Sequence, residues 1–192
     1  MKFLAATLAM LTFVISPMAV QNAHGQLELT LGGGISSPQG DYGDQADTGW
    51  ALTTGVGYRV APFFALGAEV GFVGNSSTDE SLGVSYDVST SIQHYTGMAK
   101  VLFPVGRHNV YGKGVLGSYR GIAKVSGPLG EASAENTDPG YGIGGGFMVN
   151  GDKPSSFYFD IMYHQVKYDG DDEATKFVTY NVGGVFTINL FN

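Results

Sequence analysis

The chain alternates. From residue 178 to 192 it reads VTYNVGGVFTINLFN, in which Val178, Tyr180, Val182, Gly184, Phe186, Ile188 and Leu190 share one parity. Thr179, Asn181, Gly183, Val185, Thr187 and Asn189 share the other. A period of two belongs to a strand whose two faces meet different surroundings. The same pattern recurs from Leu27 to Ile35, Trp50 to Val60, Phe64 to Phe72, Tyr95 to Phe103, Tyr141 to Val149 and Phe157 to Tyr163. One more strand falls near Val110 to Val125, but its phase stays open because Lys113 sits on one parity and Arg120 and Lys124 on the other. The total is eight strands, with no stretch left for a ninth and no helix-period segment after the first 25 residues. Length, 192 residues, suits one domain.

The connections alternate in length. Ala61 to Phe63, Pro104 to His108 and Gly151 to Ser155 are short; 37–48, 75–91, 126–138 and 169–175 are long. In an up-and-down barrel, alternate connections lie at opposite ends. One end is therefore trimmed, and the other carries four loops.

The opposite faces decide which side is dry. A soluble barrel needs a charged outer parity, yet the less apolar parity here is mostly Gly, Ala, Thr and Met. Charged residues make up only 14% of the chain, against roughly 25% in ordinary soluble domains. Such a face fits the crowded interior of an eight-stranded barrel, which side chains fill. The other parity carries aromatics near strand ends, including Trp50, Tyr58, Phe64, Phe103 and Phe157. Aromatics so placed form the two interfacial girdles of a membrane barrel. The expected fold is all-β: an eight-stranded antiparallel up-and-down transmembrane β-barrel with short periplasmic turns and four long external loops.

The N-terminus fits export. Lys2 precedes an apolar run from Phe3 to Ile15, and Ala23-His24-Gly25 is a small-x-small cleavage site. Residues 1–25 read as a signal peptide and 26–192 as the barrel domain. Cysteine is absent, which excludes a disulfide scaffold and a lipid anchor on cysteine. The net charge of -7, with no basic patch, argues against nucleic acid.

The inward parity collects Glu28, Arg59, Glu69, Lys100 and Asp160, with His94 and His164. Buried charges must be paired. These five charged residues are expected to form a structural network in the lumen, completed by Lys113 or Arg120. A rival reading makes them a proton or ion path.

On these residues the chain resembles the outer-membrane β-barrel family of Gram-negative bacteria, which includes the OmpX type, the opacity-protein type and the membrane domain of OmpA. The segment GWALTTGVGYRVAPFFALGAEVGF is similar to the family's recurrent second hairpin, and VYGKGVLGSY at 110–119 resembles its fifth strand. The resemblance covers residues 26–192. It implies location in the cell outer membrane, contact with its lipid and lipopolysaccharide, insertion by the barrel-assembly machinery, and a monomer. It implies a structural or surface-interaction role: envelope integrity, adhesion or resistance. A narrow small-solute channel is the alternative, and a lipid-modifying enzyme a third. Family members usually end on an aromatic residue, whereas this chain ends Leu190-Phe191-Asn192, with Phe191 on the inward parity. Either Leu190 takes that place or a bulge shifts the register.

Chemistry-bearing motifs are sparse. No G-x-S-x-G accompanies His24, His94, His108 or His164, so no catalytic residue is assigned. The acidic DGDDE at 169–173 lacks the glycine and distal glutamate of a calcium loop, so no metal ligand is assigned, and no cofactor is expected. All four long loops are acidic. If a surface partner exists, loops 37–48, 75–91, 126–138 and 169–175 would meet it.

Overall fold

The computed structural model describes residues 25–81, 84–127, 130–151, 153–170 and 173–190. The segment 1–25, expected to be a signal peptide, therefore lies outside the described residues except for Gly25, as do Phe191 and Asn192.

Alternation produces strands in every stretch where it was read. Eight strands run β1 (Gln26–Gln39), β2 (Gly49–Ala61), β3 (Phe64–Ser81), β4 (Val84–Val105), β5 (His108–Gly127), β6 (Gly130–Val149), β7 (Ser155–Val166) and β8 (Thr175–Asn189). Each pairs antiparallel with its neighbours in the sequence, and β1 with β8 closes the ring. Closure removes both sheet edges inside the bilayer, where no water could satisfy them. The inner turns are tight. Val105 pairs with His108 across Gly106-Arg107, and Gly106 takes the φ of 64° that such a two-residue turn needs.

The faces divide as the alternation predicts. Along β8, Phe177, Thr179, Asn181 and Val185 are buried, while Tyr180, Val182, Phe186 and Ile188 are exposed. The outward stripes of six strands carry an aromatic ring near each end. The outer ends carry Trp50, Phe72, Tyr95, Tyr141, Tyr163 and Tyr180; the inner ends carry Tyr58, Phe64, Phe103, Phe147, Phe157 and Phe186. Exposure of 73% at Phe157 and 55% at Trp50 is costly in water but favourable at a lipid interface. Indole and phenol groups dominate the outer ring, where a polar handle is useful. Tyr141 and Tyr163 both donate to Oε1 of Gln165, at 3.1 Å each.

Two features differ from the sequence reading, and a third, left open there, is decided. The stretches 75–91 and 126–138, expected as loops, are largely strand. The β3–β4 ladder continues to Ser81↔Val84 and the β5–β6 ladder to Gly127↔Gly130. Their Ser, Thr, Asp and Gly content reads as loop, yet the ladder needs only backbone groups and a short connecting stretch of chain. Second, the loop 37–48 is shortened by β1 and holds one helical turn, α1 (Asp41–Gln45). Third, the phase of β5 is settled. Tyr111, Lys113, Val115 and Tyr119 are buried, so Lys113 faces the lumen and Arg120 faces out.

Candidate functional site

The lumen fills with side chains in layers. Toward the inner end, Ala65, Leu102, Tyr111, Met148, Tyr158 and Val185 form one apolar cluster. Toward the outer end, Ala51, Val73, Ile92, Tyr119, Val166, Tyr168 and Phe177 form another. Charged and polar side chains occupy the level between and beside them.

Those charges fall into two groups. In the first, Glu28 of β1 accepts from Arg59 of β2 and Lys100 of β4, with Arg59 Nε at 3.1 Å and Lys100 Nζ on the second carboxylate oxygen. In the second, Lys113 Nζ lies 2.9 Å from Glu69 Oε2 and 3.0 Å from Asp160 Oδ2. Asp160 also accepts from Asn181 Nδ2 at 3.0 Å and from Tyr111 Oη at 3.3 Å. The Lys100 ammonium stands 5.5 Å from the centre of the Tyr111 ring, between the groups. All five residues singled out from the sequence are thus brought into ion pairs. Lys113, whose side the sequence left open, is the sixth member and equalises the signs. A cavity of about 20 Å³ lies among Glu69, Lys100, Lys113 and Asp160, room for about one water.

Above the charges, His94 and His164 join an aromatic stack. His164 lies on Phe177 with centroids 4.8 Å apart, and His94 lies on Tyr119 at 5.2 Å. Tyr119 Oη is 3.0 Å from His164 Nδ1. Gly71 makes room for this layer, since a Cβ there would stand 1.9 Å from His94 Nε2. Neither imidazole addresses a serine hydroxyl among the described residues. His108 serves the inner turns, where its Nδ1 accepts from the Asn150 amide at 3.4 Å.

At the outer mouth, Asn75 is the hub that sequence reading missed. Its Nδ2 donates to the Asp47 carbonyl at 2.8 Å, and its Oδ1 accepts from Tyr42 Oη at 3.3 Å and Ser36 Oγ at 3.4 Å. One buried amide thus ties β1, β3 and the α1 segment together. The available signal was parity, because Asn75 extends the inward series Glu69, Gly71, Val73 beyond the apolar run. Burial pushes the Tyr42 phenol up to about 12, against a hydrogen bond with Thr90, so it remains neutral. A recess of about 240 Å³ opens beside Tyr42, lined also by Thr90, Ile92, Asn136, Tyr168 and Thr175.

The outer surface is acidic. Arg120 meets Glu135 through two contacts of 2.8 Å, which hold Glu135 below the usual carboxylate range. A hydrogen bond to Asp41, with repulsion from the same carboxylate, raises Glu173 above the ordinary glutamate value.

Among solved structures, the chain is similar in fold to Ail of Yersinia pestis, solved in complex with the heparin analogue sucrose octasulfate. Identity is 20%, the match covers 85% of this chain and 99% of that one, and the TM-score is 0.56. Neisserial surface protein A matches at 13% identity over 88% and 98% of the two chains, with a TM-score of 0.55. The outer membrane protein OprG of Pseudomonas aeruginosa matches at 13% identity over 86% and 96%, with a TM-score of 0.52. No curated protein matches the sequence. At these identities the likeness speaks for the fold. A family model described as "Outer membrane protein beta-barrel domain" matches residues 5–188. With its closed ring of eight strands and outward apolar stripes between aromatic ends, the chain belongs to the outer membrane protein β-barrel domain family.

Proposed function

We propose that the protein is exported by a signal peptide at 1–25, lies in the outer membrane as a monomer among lipid and lipopolysaccharide, and acts at its outer surface without catalysis. Its role in this reading is adhesion, resistance or envelope integrity, and the ion pairs of the lumen are structural. The observation that carries the reading is the inequality of the outer end. Pairing of β2 with β3 stops at Trp50↔Gly74, and pairing of β6 with β7 stops at Gly140↔Val166. Between them β3 to β6 rise as an open four-stranded sheet. Its β6 margin, 130–137, is exposed throughout. A free strand margin on a rigid base is a template for contact with other chains.

The sign of the charge narrows the partner. The outer segments carry thirteen acids against Arg120, Lys124, Lys167 and Lys176. Ail was solved with a sulfated polyanion; the acidic outer end here disfavours such a partner and favours a neutral or basic one.

The channel reading predicts current through the barrel. Two apolar layers and six paired charges argue against it. In planar bilayers the purified barrel is expected to give no unitary steps. Steps that shrink in Lys100→Met or Glu69→Gln would establish the channel instead. The companion measurement shortens both outer hairpins to the level of Gly74 and Gly140. Folding by heat-modifiable gel mobility should persist while cell-surface binding or resistance is lost; unchanged surface behaviour would remove the reading.

A further inference from the structure

The recess at the outer mouth is built as a small-molecule site. It lies between the inner face of the rising sheet, which supplies Thr90, Ile92, Ala134 and Asn136, and an opposite wall of Tyr42 and Tyr168. Its floor is closed, because Ile92 and Tyr168 of its lining pack in one buried cluster with Tyr119 and Phe177. A ligand entering here is held and does not pass through.

Both aromatic walls are fixed. Asn75 accepts the Tyr42 hydroxyl and anchors the neighbouring chain at Asp47. Tyr168 packs closely against β5 at Gly121, where a Cβ would stand 2.8 Å from its ring. The lining contains tyrosine faces, aliphatic groups, hydroxyls and one amide, and no charged side chain. The volume of about 240 Å³ falls just below the range usual for drug-sized ligands, which suits one ring or short chain with a compact head.

Charge selects the class of ligand. Asp41 adjoins Tyr42, Asp169 adjoins Tyr168, Glu173 lies two residues before Thr175, and Asp138 lies on the inward parity with Asn136. The bases offset these acids only in part. Arg120 is paired with Glu135, and Lys124 takes the outward parity of its strand. Lys176, also outward, lies near enough to Glu173 to act on its charge, and Lys167 is exposed beyond the end of β7, so the four acids still outnumber the two nearby bases. Acidic groups around a tyrosine-lined, uncharged hollow attract and then hold a cation by its affinity for the ring faces.

We propose that this recess binds small organic ammonium ions bearing an apolar group, head against Tyr42 and Tyr168 and body against Ile92 and Ala134. The inference rests on the outer end being the functional end, but not on the exposed β6 margin. Loss of ammonium binding with surface behaviour intact would count against this inference alone.

The test uses the full barrel in a non-ionic maltoside, since phosphocholine detergents present the same head group. Benzyltrimethylammonium is titrated by calorimetry and by the ring resonances of Tyr42 and Tyr168. Choline and its neutral isostere 3,3-dimethylbutanol form the matched pair, and benzenesulfonate is the anionic control. Saturable binding of benzyltrimethylammonium with ring shifts at both tyrosines is expected. Choline should bind about tenfold more tightly than its isostere, in keeping with a desolvated cation–ring contact, and benzenesulfonate should not bind. Ala134→Trp, which fills the recess while leaving both tyrosines and the acids in place, should abolish binding with folding confirmed by gel mobility. Asp138→Asn with Glu173→Gln should weaken it and flatten its salt dependence. Equal affinity for the neutral isostere, binding of the sulfonate, or an unaffected Ala134→Trp variant would overturn the proposal.

Discussion

The two halves of the outer end obey different rules. β2 parts from β3 at Trp50↔Gly74, β6 parts from β7 at Gly140↔Val166 and β1 stays with β8 only to Gln39↔Lys176, whereas β3 with β4 and β5 with β6 continue to Ser81↔Val84 and Gly127↔Gly130. Below the ring of Trp50, Tyr141 and Tyr163 no strand has a choice, because hydrocarbon offers no partner for an open amide. Above it water competes for every backbone group, and pairing runs furthest where only two residues separate the paired strands in the chain. On the other half, side chains take over. The α1 segment is held by Asn75, and no ladder holds it. Damage below the ring should therefore spread through the whole barrel, while damage above it should stay local.

The largest expected effect is at Lys113, which serves two carboxylates, Glu69 and Asp160, on different strands. Lys113→Met leaves both buried without their cation. Removing one partner from a buried ionic group costs about 3–5 kcal/mol. Urea unfolding in lipid, followed by loss of the heat-modifiable band, should show a loss of this size across the whole barrel. Adding Glu69→Gln and Asp160→Asn should recover most of it, since the triple variant buries no charge at this site. A single variant as stable as the parent would show that the lumen tolerates unpaired charge, and the contrast between the two regions would fail.

Asn75 sits at the boundary and should give an intermediate result. Asn75→Ala removes the acceptor for Tyr42 and Ser36 and the donor to Asp47. Buried groups left unsatisfied cost about 1–3 kcal/mol. That cost should fall on the α1 segment and not on the ring. Amide hydrogen exchange over 40–48 is expected to rise about ten- to a hundredfold, with the urea midpoint of the barrel nearly unchanged. An equal rise in all eight strands would place Asn75 among the residues that hold the ring.

The same boundary explains what the sequence disclosed. Inside the membrane, lipid and lumen impose opposite demands on successive residues, so parity placed Glu28, Arg59, Glu69, Lys100 and Asp160 on one side. Lys113 escaped because β5 runs beyond the girdle. Arg120 and Lys124 sit on its outward face where water, not lipid, receives them, so charge on both parities ceases to be a contradiction. Above the girdle both faces of a strand are wet, and Ser, Thr and Asp serve a sheet as well as a loop. That is why 75–91 and 126–138 read as loops. The recess was illegible for a different reason: Tyr42, Tyr168 and Ala134 come from three separate segments, and no spacing in the chain joins them.

The smallest expected effect is electrostatic and lies wholly above the girdle. Glu173 shares a hydrogen bond with Asp41, and that contact, with the repulsion behind it, raises the Glu173 carboxyl above the ordinary glutamate value. A carboxyl raised in the folded state binds its proton more tightly there than in the open loop, so acid favours the contact. As pH rises through the raised value the proton leaves, two carboxylates face each other, and the segment carrying Asp41 loosens from the segment carrying Glu173. Exchange at 40–48, corrected for the intrinsic pH dependence of amides, should therefore quicken modestly from acid to neutral pH. Both carboxyls are open to solvent, so the strands beneath should not respond. Glu173→Gln keeps a donor for Asp41 and removes the titration, so its corrected exchange should be flat with pH. A pH response that persists in Glu173→Gln would assign the effect to another group, whereas one that spreads into β1 and β8 would mean that the two regions are more tightly joined than their hydrogen bonds imply.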